Sequence, residues 1–474
     1  INAASLNLNY EPPTVRPLAM RPDAKPESYN AYALLGYGTQ SSPIAELAYN
    51  TENPGWYKLG FNFSHHSANN SNKIADQRFS ETGLLVNGEY TLSNNATVGG
   101  QINYDQNDYY LYGFNEVDST QIIDNPLRRF NFLNLTGNIK SDPESEFNYV
   151  GNIDVYTLKD NFAAKETGLL LGGGLSKIIN EKHLLGINIE ADFSQLKDTT
   201  TQKLNNLSAH PFIKFTNPNY QINVGAEFAH AESMLSIFPE LEFSTKIIGS
   251  TLIAYAGISG ELRKNSFKNL SNYNPYITSR IDSINNTRST SYFIGGKGTV
   301  KGIRYGSQIS YHTFTSLALF INDVNDMKRF KPIYDNGNMI QIKANASIDI
   351  NKQLSIDGTL AKNFYSLDKE EKPWSLPSFE ANLNAKYKML KNNKLHLKGN
   401  LYMENGVPVM DFDTVEGQRN LGPLLDLSLS ADYFFSKNIG AFVHANNLLN
   451  NKRMRWNGYP SFGLNLKGGI LARF

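Results

Sequence analysis

The chain has 474 residues, with 45 Lys and Arg against 44 Asp and Glu, and it contains no cysteine. So even a balance gives nucleic acid or an acidic surface no bulk attraction, and the missing thiols exclude disulfide staples, cysteine metal sites and thiol catalysis. With 40% hydrophobic residues and a mean hydropathy of -0.40, no stretch approaches the roughly 18 consecutive apolar residues of a spanning helix, so a helical membrane protein is excluded. A β-barrel passes that test, because only alternate residues of its strands meet lipid. No charged and then apolar leader opens the sequence at Ile1, so a signal peptide is expected to have been removed or to lie outside this numbering.

In chain order, residues 1–28 come first as a polar segment carrying Pro12, Pro13, Pro17, Pro22 and Pro26. Proline fixes φ and removes a donor, so this segment is expected to be an extended arm that docks a partner rather than part of a sheet. Residues 29–474 then read as one domain, with strand patterns from Ala31 onward separated by turn residues. Leu185, Ile187, Ile189, Ala191 and Phe193 alternate with Asn188, Glu190, Asp192 and Ser194. Leu395, Leu397, Gly399, Leu401 and Met403 alternate with Lys394, His396, Lys398, Asn400 and Glu404, and Leu425, Leu427, Leu429 and Ala431 with Asp426, Ser428, Ser430 and Asp432. The last segment places Phe462, Leu464, Leu466, Gly468, Ile470, Ala472 and Phe474 on one face, and only Leu471 breaks the pattern. A period of two gives each strand one lipid face and one wet face. So many long strands exceed what a soluble sandwich sustains, which makes the fold all-β, a transmembrane antiparallel barrel.

Short turns are expected at Asn94-Asn95, Asn180-Glu181, Asn217-Pro218-Asn219, Ile248-Gly249-Ser250, Lys301-Gly302, Asn351-Lys352, Asn392-Asn393 and Ser436-Lys437-Asn438. Long connections are expected near residues 65–78, 114–127, 196–206, 264–288, 321–336, 366–376, 407–422 and 450–460. Counting between them gives about 22 strands, with short turns in the periplasm and long loops outside. Tyr109, Tyr110, Tyr112 and Phe114, and later Trp456, Tyr459 and Phe462, fall where strands leave the membrane, and they are expected to form an aromatic girdle at the lipid interface.

Asn446-Asn447-Leu448-Leu449-Asn450, Trp456-Asn457-Gly458-Tyr459-Pro460 and the strand ending in Phe474 resemble the last hairpin of TonB-dependent receptors. Glu11-Pro12-Pro13, Arg16-Pro17-Leu18-Ala19, Gly36-Tyr37-Gly38, Phe320-Ile321-Asn322-Asp323 and Tyr334-Asp335 extend the likeness over nearly the whole chain. The resemblance implies the cell outer membrane of a Gram-negative bacterium, with the lipid bilayer and lipopolysaccharide as surroundings. It also implies that the terminal Phe474 is an assembly signal read by the barrel-assembly machinery. Transporting members carry a plug and a TonB box ahead of the barrel. With about 28 residues before the first strand here, a barrel-only form is expected.

Other chemistry is sparse. The eight histidines, at 65, 66, 183, 210, 230, 312, 396 and 444, lack the spacing that puts two ligands on one face. Asp323, Asn325 and Asp326 fall short of a full calcium loop, and Gly295-Gly296-Lys297-Gly298-Thr299 lacks the phosphate-loop pattern. Asp154, Glu190, Asp192, Asp357 and Asp432 are expected lumenal acids without a catalytic partner. The expectation is therefore a protein that is no enzyme and carries no cofactor or metal. It would be an accessory or structural subunit of an outer-membrane complex for barrel assembly, secretion or uptake, with other outer-membrane proteins or lipoproteins as partners. The alternative is TonB-dependent transport of a nutrient or siderophore, with the plug supplied elsewhere.

Overall fold

A computed structural model describes residues 29–53, 56–114, 125–411, 417–451 and 453–474. The proline arm, with Pro12, Pro13, Pro17, Pro22 and Pro26, lies outside the described residues. The chain opens with β1 (Ala31–Gly38), β2 (Ile44–Asn53), β3 (Tyr57–Asn69), β4 (Arg78–Thr91), β5 (Thr97–Tyr110), β6 (Leu127–Lys140) and β7 (Phe147–Asp160). It continues as β8 (Lys165–Ile179), β9 (His183–Lys197), β10 (Thr201–Thr216), β11 (Tyr220–Ala231), β12 (Met234–Ile248) and β13 (Leu252–Arg263). Helix α1 (Phe267–Tyr273) precedes β14 (Thr287–Val300), β15 (Ile303–Asp323), β16 (Asp326–Asp349), β17 (Leu354–Leu367), β18 (Phe379–Met389) and β19 (Leu395–Asn405). A loop hairpin of β20 (Val407–Met410) and β21 (Gln418–Leu421) comes next, then β22 (Leu424–Phe434) and β23 (Ile439–Asn446). A second loop hairpin, β24 (Met454–Trp456) and β25 (Tyr459–Pro460), leads into β26 (Asn465–Arg473).

Twenty-two of these strands form one antiparallel sheet, which closes where β1 pairs with β26, Leu35 opposite Ile470. The Phe474 amide donates to the Ala31 carbonyl at 2.9 Å, so the last residue completes the seam. Closure leaves this 22-stranded sheet without a free edge among the described residues, so its strands pair on both sides, as a hydrocarbon surrounding demands. The expected lipid face of β26 is the exposed one: Ile470 and Phe474 are 62% and 63% exposed, whereas Asn465 and Lys467 are buried. Leu471, which broke the alternation, packs inward with Leu34, Phe434 and Phe442 in a small apolar patch on the lumen wall.

The short turns sit where their residues predict. Asn180 and Glu181 both have positive φ, as do Lys301 and Gly302, the geometry that matches the twist of paired strands. Two expected long loops are corrected. Residues 198–200 alone join β9 to β10, and residues 324–325 alone join β15 to β16. In the second case the strands run on past the membrane, 21 and 24 residues long. The register shifts between Phe314 and Leu317, where Ser316 has positive φ, and such a bulge bends the hairpin.

Candidate functional site

The bent tip of β15 and β16 buries residues on both of its faces. Ala318 and Phe320 point into a core shared by the long connections of one rim, while Leu317 and Leu319 pack on Trp374. The connection 264–286 supplies Phe267, Leu270, Ile277, Ile281 and Ile284 to the same core, and the connection 447–464 supplies Trp456 and Tyr459. Tyr276 stacks on Tyr459 with ring centroids 3.6 Å apart, and Trp456 meets Tyr273, Phe320 and Phe330 edge-on. Burial pushes the phenols of Tyr276 and Tyr459 well above their usual pKa, so both stay neutral donors.

Polar groups pin this core to the wall. Arg128 of β6 is fully buried, and its Nη1 donates to Ser279 Oγ at 2.6 Å and faces Asp160 Oδ2 of β7 at 3.2 Å. Ser279 Oγ donates in turn to Asp160 at 2.5 Å, and the other carboxylate oxygen accepts from the amides of Phe162, Ala163 and Ala164. Glu166 of β8, also fully buried, accepts from the Phe267 amide at 2.6 Å, the Lys268 amide at 3.3 Å and the Tyr156 hydroxyl at 2.7 Å. A carboxylate so placed satisfies the free amides that start α1. Gln202 of β10 binds the Ile281 carbonyl and the Ile284 amide, and Asn206 exchanges hydrogen bonds with Asn286. Buried polar groups with several partners each hold a segment in one geometry.

The connection 447–464 closes the other side. Tyr459 donates to the Lys328 carbonyl, Tyr112 and Gln77 donate to the Pro460 carbonyl, and Asn457 Nδ2 donates to Asn322 Oδ1. Arg455 pairs with Glu404 at 3.2 Å and donates to the Tyr273 hydroxyl. Asn447 holds the base of this loop through the Asn451 and Phe462 carbonyls, and the positive φ of Asn447 and Asn450 suits asparagine. Connections from around one rim thus meet in one core across that mouth of the barrel.

This geometry corrects the girdle. Tyr112, Trp456 and Tyr459 are 5%, 6% and 3% exposed and lie in the loop core, not at the lipid. Tyr109 packs on the same core and donates to Glu81, while the Tyr110 ring lies under the Arg78 guanidinium at 4.1 Å. Asp326 pairs with Arg329 at 2.8 Å, and Asp323 faces Lys331 at 3.9 Å. The other acids also have partners: Asp192 pairs with Lys264, Asp432 lies 3.4 Å from Lys398, Asp357 accepts from Asn384 and Asp154 from Thr136. Glu190 lines a lumenal cleft with His210 and Glu240, which are 2.6 Å apart. Arg128, Asp160, Glu166 and Gln202 were missed in the sequence. Their only local signal is a charged or amide residue of inward parity at the end of a strand.

No protein-family model matches the sequence, and no curated protein matches it. Solved structures do. The FrpB iron transporter from Neisseria meningitidis aligns with a TM-score of 0.73 at 9% identity, over 95% of this chain and 82% of that one. The copper transporter OprC aligns at 0.68 and 12% identity, again over 95% and 82%. The pyoverdine outer membrane receptor FpvA from Pseudomonas aeruginosa PAO1 gives 0.70 and 11% over 95% and 79%. These proteins are transporters and receptors, and at such low identity the likeness speaks for the fold. With its closed sheet and outward apolar belt, this chain is an antiparallel β-barrel with the 22-stranded fold of the TonB-dependent receptors.

Proposed function

We propose that the protein is a non-conducting, receptor-type barrel that serves as an accessory or structural subunit of a larger outer-membrane complex for barrel assembly, secretion or uptake. The observation that carries this reading is the loop core across the mouth, pinned by Arg128, Asp160, Ser279 and Glu166. Lumen width grows with strand number, and barrels of this size leak unless filled. A chain that commits its long connections to sealing its own mouth is suited to work through its rims and outer wall. In planar bilayers the purified protein is expected to show no large steady conductance, and replacing residues 266–285 by a short Gly-Ser turn is expected to create one. A large steady conductance in the intact protein would argue for a pore instead. Co-purification in mild detergent names the partners, and the proline arm at residues 1–28 is proposed as a docking segment whose removal releases them.

The likeness to transporters of iron and copper and to a pyoverdine receptor favours a second reading, TonB-dependent uptake of a nutrient or siderophore. Uptake that needs this protein and vanishes in cells lacking TonB would select it. Under either reading, Phe474 is proposed as the assembly signal. Its side chain faces outward beside β1 and is mostly exposed, so it contributes little packing. Deleting it is expected to lower the amount of barrel reaching the outer membrane severalfold in cell fractionation. Normal accumulation of the truncated chain would remove that role.

A further inference from the structure

On the outer wall, the extracellular ends of β7, β8 and β9 carry three lysines side by side. Lys159 lies opposite Lys165, and Lys165 lies opposite Lys197. Their chain neighbours Leu158, Glu166 and Leu196 are buried beneath the loop core, so strand alternation turns all three lysines outward. Lys203 of β10 shares that parity, next to the buried Leu204, and lies opposite Gln195 one level nearer the membrane centre. All four lysines are exposed, and none has an ion-pair partner among the described residues. The carboxylates nearby are taken: Asp108 by Arg129, and Asp198 by the Thr200 and Ile281 amides. Like charges placed directly opposite one another in a sheet repel. An anion held between them would reverse that cost.

Below the lysines the wall is recessed. A groove of about 470 Å³ crosses β6 to β10, with Thr157, Thr167 and Gln195 at its upper end and Leu135, Leu169 and Phe193 deeper in the membrane. Its order, from the rim inward, is cations, then hydroxyl and amide groups, then aliphatic and aromatic surface. We propose that this face binds one phosphorylated glycolipid of the outer leaflet, the lipid A part of lipopolysaccharide. The phosphates would meet Lys159, Lys165, Lys197 and Lys203, the sugars would meet the polar row, and an acyl chain would lie in the groove. Several adjacent cations match a headgroup with two phosphates better than a zwitterionic or singly charged phospholipid.

The test is native mass spectrometry of the purified full-length protein in detergent, titrated with bis-phosphorylated lipid A, dephosphorylated lipid A or phosphatidylglycerol. A double variant, K165Q with K197Q, is compared with K182Q in a periplasmic turn. Heat-modifiable gel migration shows that each barrel is folded. At about 1 kcal/mol per lysine near an anionic surface, the double variant is expected to bind bis-phosphorylated lipid A roughly thirtyfold more weakly. K182Q is expected to match the wild type, and dephosphorylated lipid A to bind the wild type no better than it binds the double variant. Undiminished binding by the double variant would overturn the proposal. So would phosphatidylglycerol binding as tightly as lipid A, which would reduce the row to general surface charge.

Discussion

Replacing Arg128 with methionine is expected to loosen the loop core by about 3–5 kcal/mol while the barrel wall stays folded. Arg128 and Asp160 are both fully shielded from solvent. Removing one member of a buried pair strands the charge of the other, and that penalty exceeds the worth of the pair itself. Asp160 would keep Ser279 and three backbone amides, which sets the cost toward the lower end. Methionine fills much of the space but cannot replace the donor to Ser279 or the stacking on Phe130 and Phe162, whose ring centres lie 4.7 and 5.7 Å from the guanidinium carbon. The connection 264–286 can open without the sheet unfolding, so the effect belongs in local hydrogen exchange rather than global denaturation. The amides of Phe267 and Leu270, now bonded to Glu166 and Ser266, are expected to exchange at least a hundredfold faster, with strand amides unchanged. Asp160→Asn should loosen the same amides, and the double variant should cost less than the sum, because neither charge is then left alone. Strict additivity would show that the pair does not act as a unit.

The barrel was legible in the sequence because its signals are local. The alternation of β26 needs only nine residues, and Asn180-Glu181 or Lys301-Gly302 announces a hairpin by needing positive φ at both positions. The loop core was not legible, because its partners are far apart in the chain. Arg128 meets Ser279 across 151 positions, Tyr459 meets the Lys328 carbonyl across 131, and Gln77 meets the Pro460 carbonyl across 383. An aromatic residue at a strand end suits a lipid headgroup and a loop core equally, since each offers it an apolar body and a polar tip contact. That is why the sequence alone places Trp456 and Tyr459 at the membrane surface. Residues 321–336 read as a loop because Asn322, Asp323, Asn325 and Asp326 resemble turn residues, yet two positions alone make the turn. The lysine row shows the same limit. Its parity could be read from the sequence, but that Lys159, Lys165 and Lys197 stand in register depends on the pairing of three strands.

On the wall itself, the largest effect is expected from Ile187→Arg. Ile187 lies in β9 with its side chain turned to lipid, 40% exposed, between Leu175 of β8 and Pro211 of β10. Arginine there must either leave its charge in hydrocarbon or draw water and headgroups down to it, which costs about 2–4 kcal/mol near mid-bilayer and less toward either interface. Asn188, one residue on, faces the lumen beside Gly174 and lines the same cleft as Glu190, Glu227 and Glu240. An arginine at that position meets water and three carboxylates, so Asn188→Arg is expected to change stability by less than about 1 kcal/mol. Reversible urea unfolding in lipid vesicles measures both variants against the wild type. The pair differs by one position in sequence and by the whole thickness of the wall in environment, which makes the comparison insensitive to general damage to β9. Equal costs at Ile187 and Asn188 would mean that the register of β9, and with it the assignment of lipid and lumen faces to β8 and β10, is wrong.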